Sequence, residues 1–121
     1  MQHLFLDDER IPGQVTWVSL PSAQYTIVRN FEQFVNYIYE YGVPNFISFD
    51  HDLADQHYIA AEMGVEDYGQ EKTGYDCAVW LVDFCDQWRE KFPKYAVHSM
   101  NPIGRERIIS YIENAKKYLN I

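Results

Sequence analysis

The sequence predicts an α/β domain with a mostly parallel four-stranded sheet, and three observations lead to this fold class. Four short apolar runs, at residues 3–7, 25–29, 46–50 and 95–99, have the length and composition of buried parallel strands. Helical patterns separate the later runs, as is typical of parallel sheets with right-handed crossovers. Three of the runs end in polar residues, which is expected where the carboxyl ends of strands form a ligand site.

The first predicted helix follows the second strand. Asn30 is its expected N-cap, with Gln33 in the capping-box position, and apolar residues recur at helical spacing until Gly42 ends the run. The segment 9–24 contains two prolines and a glycine, which exclude a long helix. Within it we expect only a short extended piece at residues 15–20.

Two further helices are predicted in the second half of the chain. One spans about residues 74–91, with Thr73 as a plausible N-cap and a broad apolar face. The other spans about residues 102–119, where Asn101 is the expected cap and Pro102 fits the first helical position.

The chain, residues 1–121, is expected to form a single domain. If the first strand lies between the second and the third, the strand order is 2-1-3-4. The switch point then falls between the strands that end at Asp7 and Asp50, which is where open α/β sheets bind ligands. The acidic stretch 54–72 is long for a connection in a compact domain, and we interpret it as a possible lid.

Composition and charge exclude several function classes. A hydrophobic content of 47% with 23% charged residues indicates a globular protein, and no apolar run approaches the ~20 residues of a membrane span. The net charge of −8 repels nucleic-acid backbones and anionic lipids, so neither bulk nucleic acid nor a membrane is an expected partner. The first strand begins at residue 3 and leaves no room for a signal peptide, so a cytoplasmic location is expected.

The two cysteines agree with that location. Cys77 and Cys85 lie eight positions apart on one predicted helix, which corresponds to about 12 Å along the helix axis. A disulfide requires Cα atoms within about 7 Å of each other. Both thiols are therefore expected to be unpaired and buried.

Four carboxylates follow the first and third strands: Asp7, Asp8, Asp50 and Asp52. Brought to one crevice they would repel each other, and a divalent cation would relieve that repulsion. Hard oxygen ligands favour Mg²⁺ or Mn²⁺. The alternative is that these residues serve as helix caps and exposed turn carboxylates.

Two histidines flank the same crevice. His51 follows the third strand and His98 the fourth. A neutral imidazole there can act as general acid or base in phosphoester cleavage, bind a softer metal, or be a satisfied structural residue. Ser99 offers a hydroxyl to a phosphoryl oxygen, or it caps the helix that follows.

The start of the last helix is a candidate anion site. Asn101 precedes free backbone amides that favour anions, and Arg105 can contact two phosphate oxygens. Arg10 can do the same from the first loop, or it can pair with Glu9 or Asp52. Helix capping alone is also sufficient to explain Asn101.

Four ordered motifs resemble those of the cyclic-phosphate processing receiver domains, a divergent branch of response-regulator receivers with members in bacteria and their phages. The motifs are Leu6-Asp7-Asp8-Glu9-Arg10, Ser48-Phe49-Asp50-His51-Asp52-Leu53, Thr73-Gly74-Tyr75-Asp76 and Val97-His98-Ser99-Met100-Asn101-Pro102-Ile103-Gly104-Arg105, and the resemblance extends over nearly the whole chain. The resemblance implies a receiver-like (flavodoxin-like) three-layer sandwich, truncated relative to ordinary receivers.

The resemblance also implies roles for individual residues. Asp7 and Asp8 match the acidic metal-binding pair of receivers, Asp50 matches the aspartate that accepts phosphate, and Ser99 matches the hydroxyl residue that contacts the phosphoryl group. The branch adds residues that ordinary receivers lack: His51, Asp52, His98, Asn101 and Arg105. No fifth strand follows residue 99, so the lysine that closes the phosphorylation site has no counterpart. The helix after the first strand is also missing or very short, and both departures argue against aspartyl-phosphate signalling.

Three functions compete on this evidence. The first is a metal-dependent phosphoesterase acting on a small cyclic-phosphate nucleotide or an ADP-ribose-type compound. Its expected metal ligands are Asp7, Asp8 and Asp50, its catalytic residues His51, His98 and Asp52, and its substrate-binding residues Arg10, Ser99, Asn101 and Arg105. The second is a non-catalytic receiver-like module that binds a nucleotide or a protein partner. The third is phosphoacceptor signalling through Asp50.

Overall fold

The computed structural model describes residues 2–53 and 72–121. Within them, four parallel strands form one sheet: β1 (His3–Leu6), β2 (Tyr25–Val28), β3 (Phe46–Phe49) and β4 (Lys94–Val97). The sheet order is β2-β1-β3-β4, which confirms the expected order 2-1-3-4. Each strand ends one or two residues earlier than predicted, so the polar residues that follow are free to form the crevice at the β1/β3 switch point.

Three helices in the described part of the chain follow the predicted positions: α1 (Phe31–Tyr41), α2 (Gly74–Trp88) and α3 (Pro102–Leu119). Their predicted caps are confirmed, because the side chains of Asn30, Thr73 and Asn101 each accept a hydrogen bond from a backbone amide in the first turn. Helix α2 ends three residues before the predicted position, since Arg89 takes the left-handed conformation with φ of 55°.

The main core lies between the sheet and the helices. Alternate residues of the strands face it, among them Leu4, Leu6, Ile47, Phe49 and Val97, and each described helix contributes buried apolar side chains to the same cluster. Helix α2 packs against both α1 and α3. The three described helices therefore form one layer on one face of the sheet. Right-handed crossovers place α1 and α2 on that face, and α3, which follows the last strand, packs beside α2.

The opposite face of the sheet carries an aromatic cluster. The rings of His3, Phe5, Tyr25 and Phe46 contact one another there. No α-helix connects β1 to β2, as expected; a short 3₁₀ turn at Pro12–Gln14 and irregular chain take its place. In the described residues, this irregular segment stands where the third layer of the sandwich was expected.

Residues 15–20 form no strand in the structure, in contrast to the extended piece predicted there. The Trp17 side chain anchors the segment, since its indole Nε1 donates to the carbonyl oxygen of His98 at 2.8 Å. A tertiary contact of this kind is not visible in the β-type composition of the segment.

Three smaller expectations can be compared with the structure. Cys77 and Cys85 are buried on α2 and form no disulfide, as predicted. Among residues 2–53 and 72–121, no helix is both long and apolar enough to cross a membrane. The possible lid at 54–72 lies, apart from Lys72, outside the described residues.

Candidate functional site

Three buried residues converge at the carboxyl edge of the sheet. Asp7 follows β1, Asp50 follows β3 and His98 follows β4, and one potential ligand atom from each lies within 4.8 Å of the others. Since these strands are neighbours in a parallel sheet, their carboxyl ends share one edge. This group is the metal-binding candidate that the described residues form.

Asp7 is held by hydrogen bonds on both carboxylate oxygens. Its Oδ1 accepts from the backbone amides of Glu9 and Arg10, each at 2.9 Å. Its Oδ2 lies 2.9 Å from Nε2 of His98 and 3.6 Å from Nη1 of Arg10. Burial would raise the pKa of Asp7, but the hydrogen bonds from His98, Arg10 and Glu9 outweigh it and hold the pKa well below its usual range. Asp7 is therefore a carboxylate at neutral pH.

Asp50 is in the opposite electrostatic situation. Its side chain is buried, with Oδ1 accepting from the backbone amide of His51 at 2.9 Å. Burial and the negative charge of Asp7 raise its pKa to about 7, and the charge of Asp8 adds to this, while the His51 amide and Arg10 offset part of it. Asp50 and Asp7 thus form a carboxylate pair that one added positive charge would stabilise.

Asp8, the third predicted metal ligand, occupies a different position. It is half-buried and does not belong to the cluster of Asp7, Asp50 and His98. Its charge nonetheless reaches Asp50. Asp8 therefore borders the carboxylate pair.

The His98 side chain is surrounded by other side chains and has no exposed surface. Its ring is fully buried and stacks on Phe5, with the centroids 4.5 Å apart and the planes 7° from parallel. Nδ1 lies 2.6 Å from Oγ of Ser48, and Nε2 contacts Asp7. Both nitrogens are thus engaged with protein groups, whereas the predicted acid–base role needs a nitrogen that can exchange a proton with substrate.

His51 lies between the amino-terminal ends of α2 and α3. Its carbonyl oxygen accepts from the Gly74 amide at 2.8 Å, and its ring packs so closely on Gly104 that a Cβ there would come within 2.4 Å of it. Nδ1 lies 2.8 Å from Oδ1 of Asp52, whose side chain is 60% exposed. Nε2 is buried and has no hydrogen-bond partner among the described residues. The Asp52 carboxylate therefore orients the His51 imidazole through Nδ1, while Nε2 makes no hydrogen bond to the described residues.

The predicted anion-binding residues surround the start of α3. Ser99 is buried, and its Oγ accepts from the Asn101 amide at 3.1 Å. Asn101 caps the helix by accepting from the Gly104 amide at 3.1 Å. Arg105 is exposed and donates from Nε to the carbonyl oxygen of Val97 at 3.3 Å. The capping expectation is confirmed, and the same turn brings a cationic side chain to the rim of the crevice.

Arg10 reaches the crevice from the loop after β1. It pairs with Asp7 rather than with Glu9 or Asp52, and its Nη2 lies 3.5 Å from the Met100 sulfur. Its guanidinium also sits over the Trp17 ring, 5.3 Å from the centroid. These contacts fix Arg10 beside the carboxylates.

Sequence reasoning missed several residues that build the site. Ser48 lies inside an apolar run, where the only signal is that a buried hydroxyl needs a partner. Arg29 carries no signal in the sequence, yet its Nη1 donates to the carbonyl oxygens of Asp7 at 3.2 Å and Arg10 at 2.7 Å and so shapes the first loop. The close contact of Gly104 with His51 depends on tertiary packing, which the motif alone does not indicate.

The family described as cyclic-phosphate processing receiver domain matches residues 2–114. This range covers nearly the whole chain, and the chain belongs to that family. No curated protein and no solved structure matches it. The resemblance seen in the motifs is confirmed, as is the receiver-like α/β fold.

Proposed function

We propose that this member of the cyclic-phosphate processing receiver family is a metal-dependent phosphoesterase that opens a small cyclic phosphate, of a nucleotide or ADP-ribose type. The observation that carries the proposal is the buried pair of Asp7 and Asp50 at the β1/β3 switch point. Two carboxylates enclosed this closely are stabilised by a cation, and the description of the family names cyclic-phosphate processing.

Asp7 and Asp50, bordered by Asp8, would hold Mg²⁺ or Mn²⁺. The residues fit such an ion because the raised pKa of Asp50, caused by burial and by Asp7, indicates a site that favours added positive charge. Their oxygen atoms are the ligands that hard divalent cations prefer. When bound, the ion supplies positive charge that stabilises the charge developing on a phosphate in the transition state.

The substrate phosphate would lie at the start of α3. The backbone amides of a helix N-terminus favour anions, and Ser99, Asn101 and Arg105 stand at this turn. Arg10 contributes a second cationic group from the first loop. In a chain with a net charge of −8, these two arginines are what allows an anionic substrate to approach.

His51 would transfer the protons. In ring opening, a water oxygen forms a bond to phosphorus and one ester P–O bond of the ring breaks. The water loses a proton and the leaving oxygen gains one, so the net change is addition of one water to give a phosphomonoester. The Asp52 carboxylate lies 2.8 Å from Nδ1 and orients the His51 ring, which leaves Nε2 for proton exchange. His51 is chosen over His98 because both nitrogens of His98 are engaged.

A substrate panel tests the proposal. Purified protein with Mg²⁺ or Mn²⁺ is incubated with 2′,3′-cyclic nucleotides, cyclic dinucleotides and ADP-ribose 1″,2″-cyclic phosphate, and products are followed by phosphorus NMR. We expect ring opening that is lost in Asp50→Asn and retained in Asp83→Asn, which removes an exposed carboxyl on α2. Full activity in Asp50→Asn would contradict the assigned role.

Two other outcomes would favour the competing functions. Binding of a panel member without turnover would indicate a non-catalytic module, an alternative that the burial of His98 supports because it leaves fewer candidate acid–base groups. Labelling of Asp50 by acetyl phosphate would indicate phosphoacceptor signalling.

A further inference from the structure

We propose that His98 is a positioning residue, fixed by Ser48, that orients Asp7 toward a bound cation and takes no part in proton transfer. The contacts form one chain, the Ser48–His98–Asp7 chain, in which Ser48 Oγ lies 2.6 Å from Nδ1 and Asp7 Oδ2 lies 2.9 Å from Nε2. This inference rests on the proposed metal-dependent function.

The Asp7 end of the chain has a defined direction of hydrogen bonding. Asp7 accepts two backbone amides and lies beside the Arg10 guanidinium, so it is a carboxylate and has no proton to donate. Nε2 of His98 must therefore carry the hydrogen of that contact. Nδ1 is engaged by the Ser48 hydroxyl, which can donate or accept, so both ring nitrogens contact protein groups.

The surroundings of the ring prevent it from turning toward a substrate. One side stacks on Phe5, and the His98 side chain is fully buried. The backbone next to it is tied down as well, since the His98 amide donates to Phe49 at 2.9 Å and its carbonyl oxygen accepts from Trp17 at 2.8 Å. Because the His98 ring cannot turn, its contact with Asp7 holds that carboxylate in one orientation.

The consequence for Asp7 is a fixed ligand orientation. An ionised carboxylate has about four acceptor positions. In Asp7, three are filled by the amides of Glu9 and Arg10 and by His98. The Arg10 guanidinium lies farther away, 3.6 Å from Oδ2. His98 is therefore the hydrogen-bond partner that orients Oδ2, in the way that partners of metal-ligating groups commonly act.

Two substitutions of His98 separate the positioning role from proton transfer. In His98→Gln the side-chain amide reaches about as far as Nε2 and can still donate to Asp7. In His98→Asn the shorter amide reaches only about as far as Nδ1 and loses that contact. Neither amide can act as acid or base at neutral pH. We expect Mn²⁺ affinity, measured by electron paramagnetic resonance titration, to change less than about 3-fold in His98→Gln and to fall about 10- to 100-fold in His98→Asn.

Ser48→Ala supplies a variant that preserves buried volume. Loss of the Ser48 hydroxyl removes the contact at Nδ1 of His98. We expect Mn²⁺ affinity to fall about 3- to 10-fold, which is less than the fall expected in His98→Asn. Ser110→Ala is the matched control, because its hydroxyl bonds Glu106 on an exposed part of α3. His3→Gln controls for removing an imidazole from the same face of the sheet, and neither control should alter Mn²⁺ affinity.

Nitrogen NMR of the unsubstituted protein provides a readout that requires no variant to fold. We expect Nε2 of His98 to carry a hydrogen both before and after Mg²⁺ addition, because it contacts the Asp7 carboxylate. Loss of the Nε2 proton on Mg²⁺ addition would make His98 a direct ligand and overturn the inference.

The variant results distinguish this inference from the proposed function. Equal Mn²⁺ affinity in His98→Gln and His98→Asn, with turnover abolished in both, would show acid–base catalysis and refute positioning. Mn²⁺ binding with the expected Gln/Asn contrast, but no turnover of any substrate by the unsubstituted protein, would uphold the inference while the phosphoesterase proposal fails. Absence of Mn²⁺ binding in the unsubstituted protein would refute both.

Discussion

Replacing Asp50 with Asn removes a carboxyl whose ionisation is costly in the metal-free protein. Asp50 is 5% exposed, and burial together with the charges of Asp7 and Asp8 raises its pKa to about 7. Asn has nearly the same volume and retains an oxygen that accepts from the His51 amide. The substitution therefore isolates the effect of ionisation on the free energy of unfolding.

The size and sign of this effect follow from the two pKa values. Because the folded pKa is above the unfolded value of 3.8, protonated Asp50 contributes stability that is fully present below 3.8 and is lost as the pH rises through about 7. At about 1.36 kcal/mol per pH unit, that span corresponds to about 4 kcal/mol. Between pH 5 and pH 8 about 2.7 kcal/mol of it is lost. Between pH 5 and pH 8, the free energy of unfolding of the unsubstituted protein should therefore fall by about 2.7 kcal/mol more than that of Asp50→Asn.

Urea unfolding in the presence of EDTA measures the difference. The two proteins and the control Asp83→Asn are unfolded at pH 5 and pH 8, and each free energy is compared at the two pH values. Asp7 is a carboxylate throughout this interval, since its pKa is held well below the usual range by its hydrogen bonds despite burial. A stability difference between Asp50→Asn and the unsubstituted protein that is the same at both pH values would refute the electrostatic description of the site.

Glycine substitutions test how the helix ends position the site. In Gly74→Ala a Cβ would lie 1.6 Å from the carbonyl oxygen of Asp50, so thermal unfolding should show a loss of at least about 3 kcal/mol or failure to fold. In Gly104→Ala the Cβ would lie 2.4 Å from the His51 ring, and we expect a loss of about 1–3 kcal/mol with turnover reduced at least about 10-fold. Gly13→Ala, with no atom within 4 Å of the added Cβ, should lose no stability. Equal stability of all three variants would contradict the close packing of α2 and α3 on the site.

The fold was predictable because its signals are local. Short apolar runs gave the strands, and the caps Asn30, Thr73 and Asn101 gave the helix starts to within a residue. The strand order 2-1-3-4 was predicted on the condition that the first strand lies between the second and the third, and the structure meets that condition. Residues 15–20 were predicted less well, since Trp17 is held by a hydrogen bond to a residue 81 positions away in the chain.

The sequence was sufficient to predict which residues lie at the site, but not which contacts each of them makes. The carboxyl ends of neighbouring parallel strands had to bring Asp7, Asp50 and His98 to one edge. Whether His98 faces a substrate or the interior depends on side-chain rotamers and on the partner Ser48, which no sequence spacing encodes. Likewise, the pairing of Arg10 with Asp7 is a tertiary contact among several that the sequence left open.

The most direct test of the central claim is metal depletion and restoration in one sample. The protein is treated with EDTA, desalted and followed by phosphorus NMR with a cyclic-phosphate substrate from the panel, before and after addition of Mn²⁺. We expect no ring opening before the addition and ring opening after it, and we expect Asp50→Asn to open no ring under either condition. Ring opening that proceeds equally in EDTA, or that Mn²⁺ restores in Asp50→Asn, would contradict the central claim.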